Sequence, residues 1–373
     1  MTAIEWILFF AKFGLAFIGL SLIPVMIFLE RKGAAVIQDR PGPNRANLEG
    51  LWFLPAWARR IRGFGMVHNL TDAVKLFFKE DFVPKHAHKW FYLLAPAIPV
   101  ITAILTPAVI PFFAPLVFEG ASAPVSGAIV DANSGLLLLF AFGAVSVYGT
   151  VLGSWGSNSK YSLLGGLRSS AMMISYEISM GLGILGLILI VGSFSLSEIV
   201  AWQEAHTWGL VVQPVGFLLF VVSMFAETNR TPFDVAESEE LVGGFHTEYS
   251  AIRFALFFMG EYAHVVIASL LIATLFCGGW SLLPLPGWGA EMITSHLGIV
   301  IGVVCLFKIV LFMLIARLIK QQRRRYAKMN ASDRDAKLAE YSLFKFVFLA
   351  FAVGAALVAV VAFVWPPLRT PEA

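Results

Sequence analysis

The chain is poor in charged residues. Only 14% of its 373 residues are Asp, Glu, Lys or Arg, whereas 58% are hydrophobic, and the mean hydropathy is +0.79. Apolar runs recur along the whole chain, and no polar stretch between them is large enough to bury a core of its own. This composition excludes an ordinary soluble protein and is typical of a helical protein that crosses a membrane several times.

Cysteine is almost absent. Cys277 and Cys305 stand in separate apolar segments, and neither belongs to a CxxC motif or a Cys/His cluster. This argues against an iron–sulfur, zinc or disulfide framework. The sequence also lacks a P-loop, a dinucleotide-binding fingerprint and a nucleophile elbow. We therefore predict that the chain holds no metal and carries no redox centre itself.

Eight apolar stretches are long enough to cross a bilayer. At 1.5 Å per helical residue, about 20 residues span a hydrocarbon core of about 30 Å, and backbone groups in lipid must be satisfied within helices. The sequence thus predicts an all-α polytopic membrane protein, with residues 1–373 forming one membrane domain. The predicted spans are 4–29, 91–118, 135–155, 171–193, 208–226, 254–276, 296–319 and 343–365.

Basic residues predict the orientation of these spans. Lys and Arg concentrate in alternate loops, whereas the loops near Glu119, Glu198 and Glu291 contain none. Because basic loops stay on the cytoplasmic side, both termini are predicted to be periplasmic. The net charge of +3 reflects this topology and does not indicate nucleic-acid binding. The cytoplasmic loops, predicted to contain short amphipathic helices, are 30–90, 156–170, 227–253 and 320–342.

An acidic segment, residues 227–240, lies between two apolar spans. Thr231 is suited to cap a helix, and Pro232 is favoured at the first helical position. Gly243 and the glycine after it would end such a helix. The sequence therefore predicts one short helix that begins at Thr231 and ends near Gly243.

Three carboxylates of this predicted helix recur every three residues. Asp234, Glu237 and Glu240 would share one face, whereas Glu239 would point elsewhere. Repulsion between like charges raises the pKa of at least one of them, and such a cluster can exchange protons near neutral pH. We interpret it as a proton-coupling or redox-coupling site. The alternative is an acidic loop that is simply exposed to solvent.

Ionisable side chains also occur within the apolar spans. Glu261 lies inside the sixth span, where a charge costs about 2.5–3.5 kcal/mol on insertion scales, which indicates a polar interior. Glu177 and Glu227 extend this acidic set, although either could sit at the membrane interface. Glu261 and His264 form a Glu-x-x-His pair, but one such pair is weak evidence for a metal. The role of Lys308 stays open.

Several motifs, taken in order, resemble one family. The matching stretch runs from about residue 5 to 320, and the Asn-Arg-Thr-Pro-Phe-Asp and His-Thr-Glu-Tyr-Ser strings are its most specific parts. The family is the H subunit of respiratory complex I. The motifs are Glu30-Arg31, Gly42-Pro-Asn-Arg45, Asp72-Ala-Val-Lys75, Lys79-Glu-Asp81, Ser159-Lys-Tyr-Ser162, Arg168-Ser-Ser170, Ser175-Tyr-Glu177, Glu227-Thr-Asn-Arg-Thr-Pro-Phe-Asp234 and His246-Thr-Glu-Tyr-Ser250.

The resemblance implies a membrane subunit of a proton-translocating NADH:quinone oxidoreductase that forms the quinone chamber and couples quinone reduction to proton translocation. The residues assigned to proton coupling are Glu177, Glu227, Asp234, Glu237, Glu239, Glu240, Glu248 and Glu261. The candidates for the quinone chamber or the arm junction are Glu30, Arg31, Arg40, Asn44, Arg45, Asp72, Lys75, Arg230, Phe233 and Arg253.

The resemblance also implies partners and a location. Quinone, either ubiquinone or menaquinone, is the substrate, whereas NADH, FMN and the iron–sulfur clusters belong to partner subunits. The expected partners are the peripheral quinone-site subunits of the D and B types and the ferredoxin-like I type. The small membrane subunits of the A, J and K types, the antiporter-like subunits and lipid complete the set. The expected location is the bacterial inner membrane.

Two other functions fit parts of the sequence. A homologous membrane subunit of a membrane-bound hydrogenase would keep the architecture but change the electron chemistry. A stand-alone ion transporter would use the acidic loop as its ion site, although the sequence contains no pair of matching broken helices that would indicate inverted repeats.

Overall fold

A computed structural model places the helices of this chain. It describes residues 21–38, 66–115, 126–237 and 239–280, with isolated positions at 10, 12–14, 17, 40, 42–43, 55, 309–310, 313–314 and 317. All regular structure in these residues is helical. The helices are α1 (Ile23–Ile37), α2 (Met66–Phe78), α3 (Lys89–Leu94), α4 (Ala97–Leu105), α5 (Gly135–Gly156), α6 (Lys160–Val191), α7 (Leu196–Ala205), α8 (Gly209–Val212), α9 (Pro214–Glu227) and α10 (Ala251–Phe276), with 3₁₀ turns at Thr106–Val109, Glu239–Leu241 and Gly244–His246.

Four helical segments in the described residues are long and apolar enough to cross a membrane. They are Lys89–Val109, Gly135–Gly156, Lys160–Val191 and Ala251–Phe276, and α9 is a shorter apolar helix. The predicted all-α polytopic class is thereby confirmed. The number of eight spans and the sides of the loops stay predictions, and the spans 296–319 and 343–365 and the loop 320–342 lie almost entirely outside the described residues.

Two predicted spans are interrupted helices. The second is divided between Leu94 and Ala97 and tightens into a 3₁₀ turn at Thr106. Its prolines explain this, because proline removes a backbone donor. The fifth span is divided at Gln213, which precedes Pro214. Short breaks of this kind persist where neighbouring helices satisfy the released backbone groups.

Helix α6 is longer than its predicted span. It has 32 residues, which corresponds to about 48 Å, well beyond a hydrocarbon core of about 30 Å. Residues 160–170, predicted to belong to a loop, are its first turns, and only Ser157 to Ser159 separate it from α5. The start of α6 is therefore long enough to extend from the apolar layer and support a neighbouring loop.

Close helix contacts depend on glycine. A Cβ atom on Gly216 of α9 would lie 2.5 Å from the carbonyl oxygen of Gly183 on α6. The two backbones thus approach each other where neither residue has a side chain, as is common between membrane helices. The main hydrophobic core lies beside this contact, with Ile184, Phe220, Leu275 and Phe276 fully buried.

The residues after α9 fold against the ends of α5 and α6. The hydroxyl of Ser162 donates to the carbonyl oxygen of Phe245 at 2.6 Å, and the Ser157 hydroxyl donates to Ser162 at 2.8 Å. The phenyl ring of Phe245 is completely buried. We call residues 228–250 the acidic loop. Its far end is fixed by hydrogen bonds and by an apolar anchor.

The prediction of one helix from Thr231 to Gly243 is wrong in the described residues. Residues 231–237 form turns, the peptide bond before Pro232 is cis, and Val242 has a positive φ of 70°. Ala236 is fully buried, and a Cβ on Gly244 would clash with its carbonyl oxygen. The chain doubles back here, so tertiary packing overrides the local helix signals.

We predict that Gly165→Ala weakens the anchor of the acidic loop. A Cβ at this position would lie 2.6 Å from the backbone of Gly244 and Phe245. Overpacking of this kind costs about 1–3 kcal/mol. Gly181→Ala, on the same helix with no atom within 4 Å of its Cβ, is the matched control and should be neutral or slightly stabilising. The melting temperatures of the two purified variants are compared by thermal denaturation. Equal values would contradict the proposed packing.

Candidate proton-coupling site

Two carboxylates face one small cavity inside the helix bundle. Glu177 comes from α6, and Glu227 is the last residue of α9. Both line a cavity of about 30 Å³, together with Thr106 and His264. The Oε2 atom of Glu227 is buried and has no hydrogen-bond partner in the described residues. The structure therefore brings together two acids whose spans are separate in sequence.

The imidazole of His264 lies on α10 at the same cavity. Its Nε2 atom is 3.0 Å from the hydroxyl oxygen of Ser146 on α5, a hydrogen bond whose direction depends on the tautomer. Within the described residues, no group of three or more His, Cys, Asp or Glu side chains is arranged to hold a metal ion. The Glu261 and His264 pair does not form such a centre there.

A second acidic group joins the acidic loop to α10. The carboxyl groups of Glu237 and Glu261 are hydrogen-bonded to each other, and the Oε1 atom of Glu261 is buried without another partner in the part of the chain that the structure describes. The Nδ1 atom of His246 lies 3.8 Å from Oε1 of Glu237. Two carboxyl groups can share a hydrogen bond only if one carries a proton. The pair is therefore a candidate site for a shared proton.

Arg230 supplies positive charge to this group. Its guanidinium carbon lies 4.1 Å from the centre of the Tyr262 ring, and its Nη1 atom is 3.5 Å from the Tyr262 hydroxyl. The charge of Arg230 acts on both Asp234 and Glu261. A guanidinium stacked on an aromatic ring keeps its charge in a poorly hydrated place.

The environment shifts the pKa values of two acidic-loop side chains. Partial burial raises the pKa of Asp234 above 3.8, the charge of Glu237 adds to this, and Arg230 opposes it. Burial lowers the pKa of His246 below 6.5, although the charges of Glu237 and Asp234 act in the opposite direction. Desolvation thus favours the neutral form of both groups.

Arg253, in the first turn of α10, ties this helix to the chain before α3. Its Nε atom lies 3.2 Å from a carboxylate oxygen of Asp81, and its guanidinium is 5.4 Å from the Tyr92 ring centre. Tyr92 stacks on Tyr249 with ring centres 4.3 Å apart, and burial raises the pKa of Tyr249. These contacts fix the end of the acidic loop beside the start of α10.

Of the remaining predicted coupling residues, Glu240 and Glu248 make contacts outside these groups. The Glu240 side chain is 81% exposed and reaches Arg168 at 3.6 Å, so its predicted shared face with Asp234 and Glu237 is wrong. Glu248 is half-buried, and its backbone carbonyl accepts a 2.8 Å bond from the Tyr92 hydroxyl. Glu239 belongs to a 3₁₀ turn, and its side chain lies outside the described residues.

The predicted chamber and junction residues are distributed over the chain. The Phe233 ring packs edge to face on Tyr176, 5.0 Å between ring centres. Asp72 and Lys75 lie on α2. Residues 28–68 belong to a separate compact unit, in which Glu30 and Arg31 lie on α1. There the Arg31 side chain is hydrogen-bonded to His68, and the Arg40 side chain is hydrogen-bonded to Gln38. Asn44 and Arg45 lie outside the described residues.

Sequence reasoning missed several members of these groups. Tyr262 directly follows Glu261, and His246 begins the His-Thr-Glu-Tyr-Ser string, so both stand next to or within features that the sequence already marks. Asp81 belongs to the Lys79-Glu-Asp81 motif, but the sequence links neither Asp81 nor Tyr92 to Arg253, because more than 150 residues of chain separate them from it. Only the packing of α10 against α3 and the segment before it brings them together.

A larger apolar cavity of about 460 Å³ lies elsewhere on α10. It is lined by Phe13 and Phe17 of the first predicted span, by Val100 and Ile104 of α4, and by Met259 of α10. The α10 helix therefore contacts this cavity through Met259 and the acidic groups through Glu261, two residues further along. The lining is suited to an apolar chain.

Fold and site together define a class: a polytopic helical membrane protein that keeps carboxyl groups within its bundle, next to a folded acidic loop. Residues 11–332 match the family model described as NADH dehydrogenase. The chain belongs to this family.

Named relatives agree with this assignment. The first H-type subunit of the NADH-quinone oxidoreductase of Geobacter metallireducens is 46% identical over 281 residues, which cover 75% of this chain and 80% of the relative. The second H-type subunit of the Geobacter sulfurreducens enzyme is 47% identical over 272 residues, covering 72% and 77%. NADH-quinone oxidoreductase subunit 8 of Rhodothermus marinus is 46% identical over 261 residues, 69% of each chain. The predicted resemblance to the H subunit is confirmed.

The burial of His246 predicts a pH-dependent stability. Because its pKa in the folded protein lies below 6.5, the unfolded chain binds a proton that the folded chain does not, as pH falls through 6.5. The folded state should lose stability in that range. His246→Gln removes this effect, so the melting temperature of the unmodified protein should fall relative to the variant between about pH 7.5 and 5.5.

The raised pKa of Asp234 works in the opposite direction from 3.8 upwards. Asp234 is present in both proteins, and its carboxyl group interacts with His246, so the comparison reports on His246 together with this interaction. His206→Gln, at an exposed histidine, is the control and should not reproduce the effect. A melting-temperature difference that stays constant with pH would rule out a buried, neutral His246.

Proposed function

We propose that this chain is a membrane subunit of a proton-pumping NADH:quinone oxidoreductase, in which it couples quinone reduction to proton translocation. The observation that carries this proposal is the pair of buried carboxyl oxygens, on Glu227 and Glu261, that have no hydrogen-bond partner in the described residues. A charge in such a place is costly, so these acids respond to small electrostatic changes. The reaction itself is inferred from the family to which the chain belongs.

The apolar cavity is the proposed position of the quinone tail. Its lining consists of side chains such as Phe17, Ile104 and Met259, which suit an isoprenoid chain. Ubiquinone and menaquinone both carry such a tail. The headgroup would be reduced nearer to partner subunits, which hold NADH, FMN and the iron–sulfur clusters. This chain contributes the chamber and the responding acids.

Coupling is electrostatic in this proposal. Reduction of quinone changes the charge next to the acidic loop, and the proton shared by Glu237 and Glu261 responds because each carboxyl group is a site for it. Moving one charge through 100 mV requires about 2.3 kcal/mol. An equal free energy corresponds to a change of less than about two in the pKa of one group, which a pair of desolvated carboxyl groups can supply.

The arrangement of groups suggests the direction of transmission. His246, Glu237 and Asp234 lie in the acidic loop, Glu261 lies inside α10, and Glu177 and Glu227 line the cavity that His264 of α10 also lines. We infer that protonation changes pass in this order towards antiporter-like partners. The quinone-site subunits of the D and B types would cover the acidic loop, in the inner membrane of a bacterium.

Purification from native membranes tests the proposed function. We expect the chain to leave the membrane in a complex that contains flavin and iron–sulfur clusters and that reduces quinone with NADH. Copurification with hydrogenase activity would instead assign it to a hydrogenase complex. A chain that purifies alone and transports ions would contradict both assignments.

We predict different effects for two neighbouring glutamates. Glu237→Gln removes the shared proton of the Glu237 and Glu261 pair, so quinone-linked proton pumping in membrane vesicles should fall about tenfold or more, equivalent to about 1.4 kcal/mol in the barrier. Glu240→Gln is the matched control, because its side chain is 81% exposed and its ion pair is with the exposed Arg168. Native gels check that both complexes assemble, and equal pumping by the two variants would contradict the assignment.

A further inference from the structure

The cavity between Glu177 and Glu227 has one side chain that the coupling scheme does not use, His264. It projects from α10 towards the same space of about 30 Å³. Its Nε2 atom is bonded to Ser146, whereas its Nδ1 atom makes no hydrogen bond within the described residues. The imidazole is half-buried, and its second nitrogen is available for another partner.

The cavity is built to hold a small polar species. About 30 Å³ exceeds the space that one water molecule needs, which is about 10–15 Å³. Glu227 places a buried carboxyl oxygen at this cavity, unpartnered among the described residues, and the Glu177 carboxylate and the Thr106 hydroxyl lie on its lining. A water molecule in this space would find the two to four polar partners that a buried water requires.

We propose that His264 is a proton-holding member of the intramembrane site, linked through a bound water molecule to the carboxylates of Glu177 and Glu227. One proton is shared among the three side chains. When it rests on Glu227, His264 is neutral; when it moves, the O–H bond of Glu227 breaks and an N–H bond forms at Nδ1, through the water. The net charge of the trio is −1 in both states.

Charge balance is the physical reason for this role. Two carboxylates facing one poorly hydrated space repel each other, so both ionise only when a positive charge lies beside them. Besides the two glutamates, the polar groups that the described residues of the surrounding elements offer are the Ser146 hydroxyl of α5 and the Thr106 hydroxyl of the turn after α4. Of the described side chains that line the cavity, only His264 can supply a cation by gaining a proton.

The inference connects the two acidic groups and rests on the proposed function. His264 follows Glu261 by three residues on α10, and side chains three apart on a helix are neighbours. The histidine therefore lines the Glu177 and Glu227 cavity and lies about one helical turn from Glu261, a member of the other acidic group. It is a positioning and proton-holding residue, since it acts through these carboxylates and does not touch quinone.

The test uses the whole complex with His264→Asn. Asparagine can keep a hydrogen bond to Ser146 but cannot take up a proton near neutral pH. We expect complete assembly, an unchanged rate with an artificial electron acceptor that bypasses quinone, about tenfold lower proton pumping and an altered pH profile of pumping. Thr274→Val, at a buried polar side chain of α10 that donates to its own helix, is the control and should pump normally.

An assembled His264→Asn complex with normal pumping and an unchanged pH profile would overturn the inference. If this variant fails to assemble, the pH profile of pumping is measured for Ser146→Ala, which keeps the histidine and removes the hydrogen-bond partner of its Nε2 atom. A displaced pH profile then supports proton holding by His264, and an unchanged profile rejects it. Failure of the unmodified complex to reduce quinone or pump would instead reject the proposed function, which separates the two failures.

Discussion

The cost of placing a carboxyl group where water is scarce governs this protein. Glu227 and Glu261 each have a buried oxygen without a hydrogen-bond partner in the described residues. A soluble protein would satisfy or expose such groups, since burying an unpaired charge is expensive. In the proposed coupling this cost is useful, because a group whose ionisation is finely balanced responds to a modest change in nearby charge. The surrounding structure maintains that balance.

Maintaining it requires a rigid acidic loop, and the loop has little regular structure of its own. Its stability comes from neighbours: Ser162 bonds the Phe245 carbonyl, Gly165 lets the backbone of Gly244 approach, and Tyr249 stacks on Tyr92. The neighbouring residues belong to α6 and α3. A loop held in this way keeps Glu237 at Glu261 while its outer side, including Glu240, stays exposed and open to partners.

Histidines and arginines complete the electrostatics from positions that are distant in sequence. Arg230 faces the Asp234 and Glu261 side of the acidic group, and Arg253 pairs with Asp81 at the start of α10. His264 lines the same cavity as Glu177 and Glu227. Each acidic group thus has a basic or titratable neighbour. In the proposed scheme, proton transfer along this series requires little net charge separation at any step, which keeps its electrostatic cost low.

Hydropathy and motifs alone predicted the helical membrane class and the family, which are confirmed, and marked most of the candidate acids, because a bilayer admits few backbone arrangements and charged residues in apolar spans stand out. The course of the acidic loop was decided only by tertiary structure: the helix expected from Thr231 does not form, since burial of Ala236 and the close contact with Gly244 outweigh local propensity. The pairing of Glu237 with Glu261, the exposure of Glu240 and the cavity that His264 shares with Glu177 and Glu227 follow from tertiary packing and have no signature in the spacing of residues.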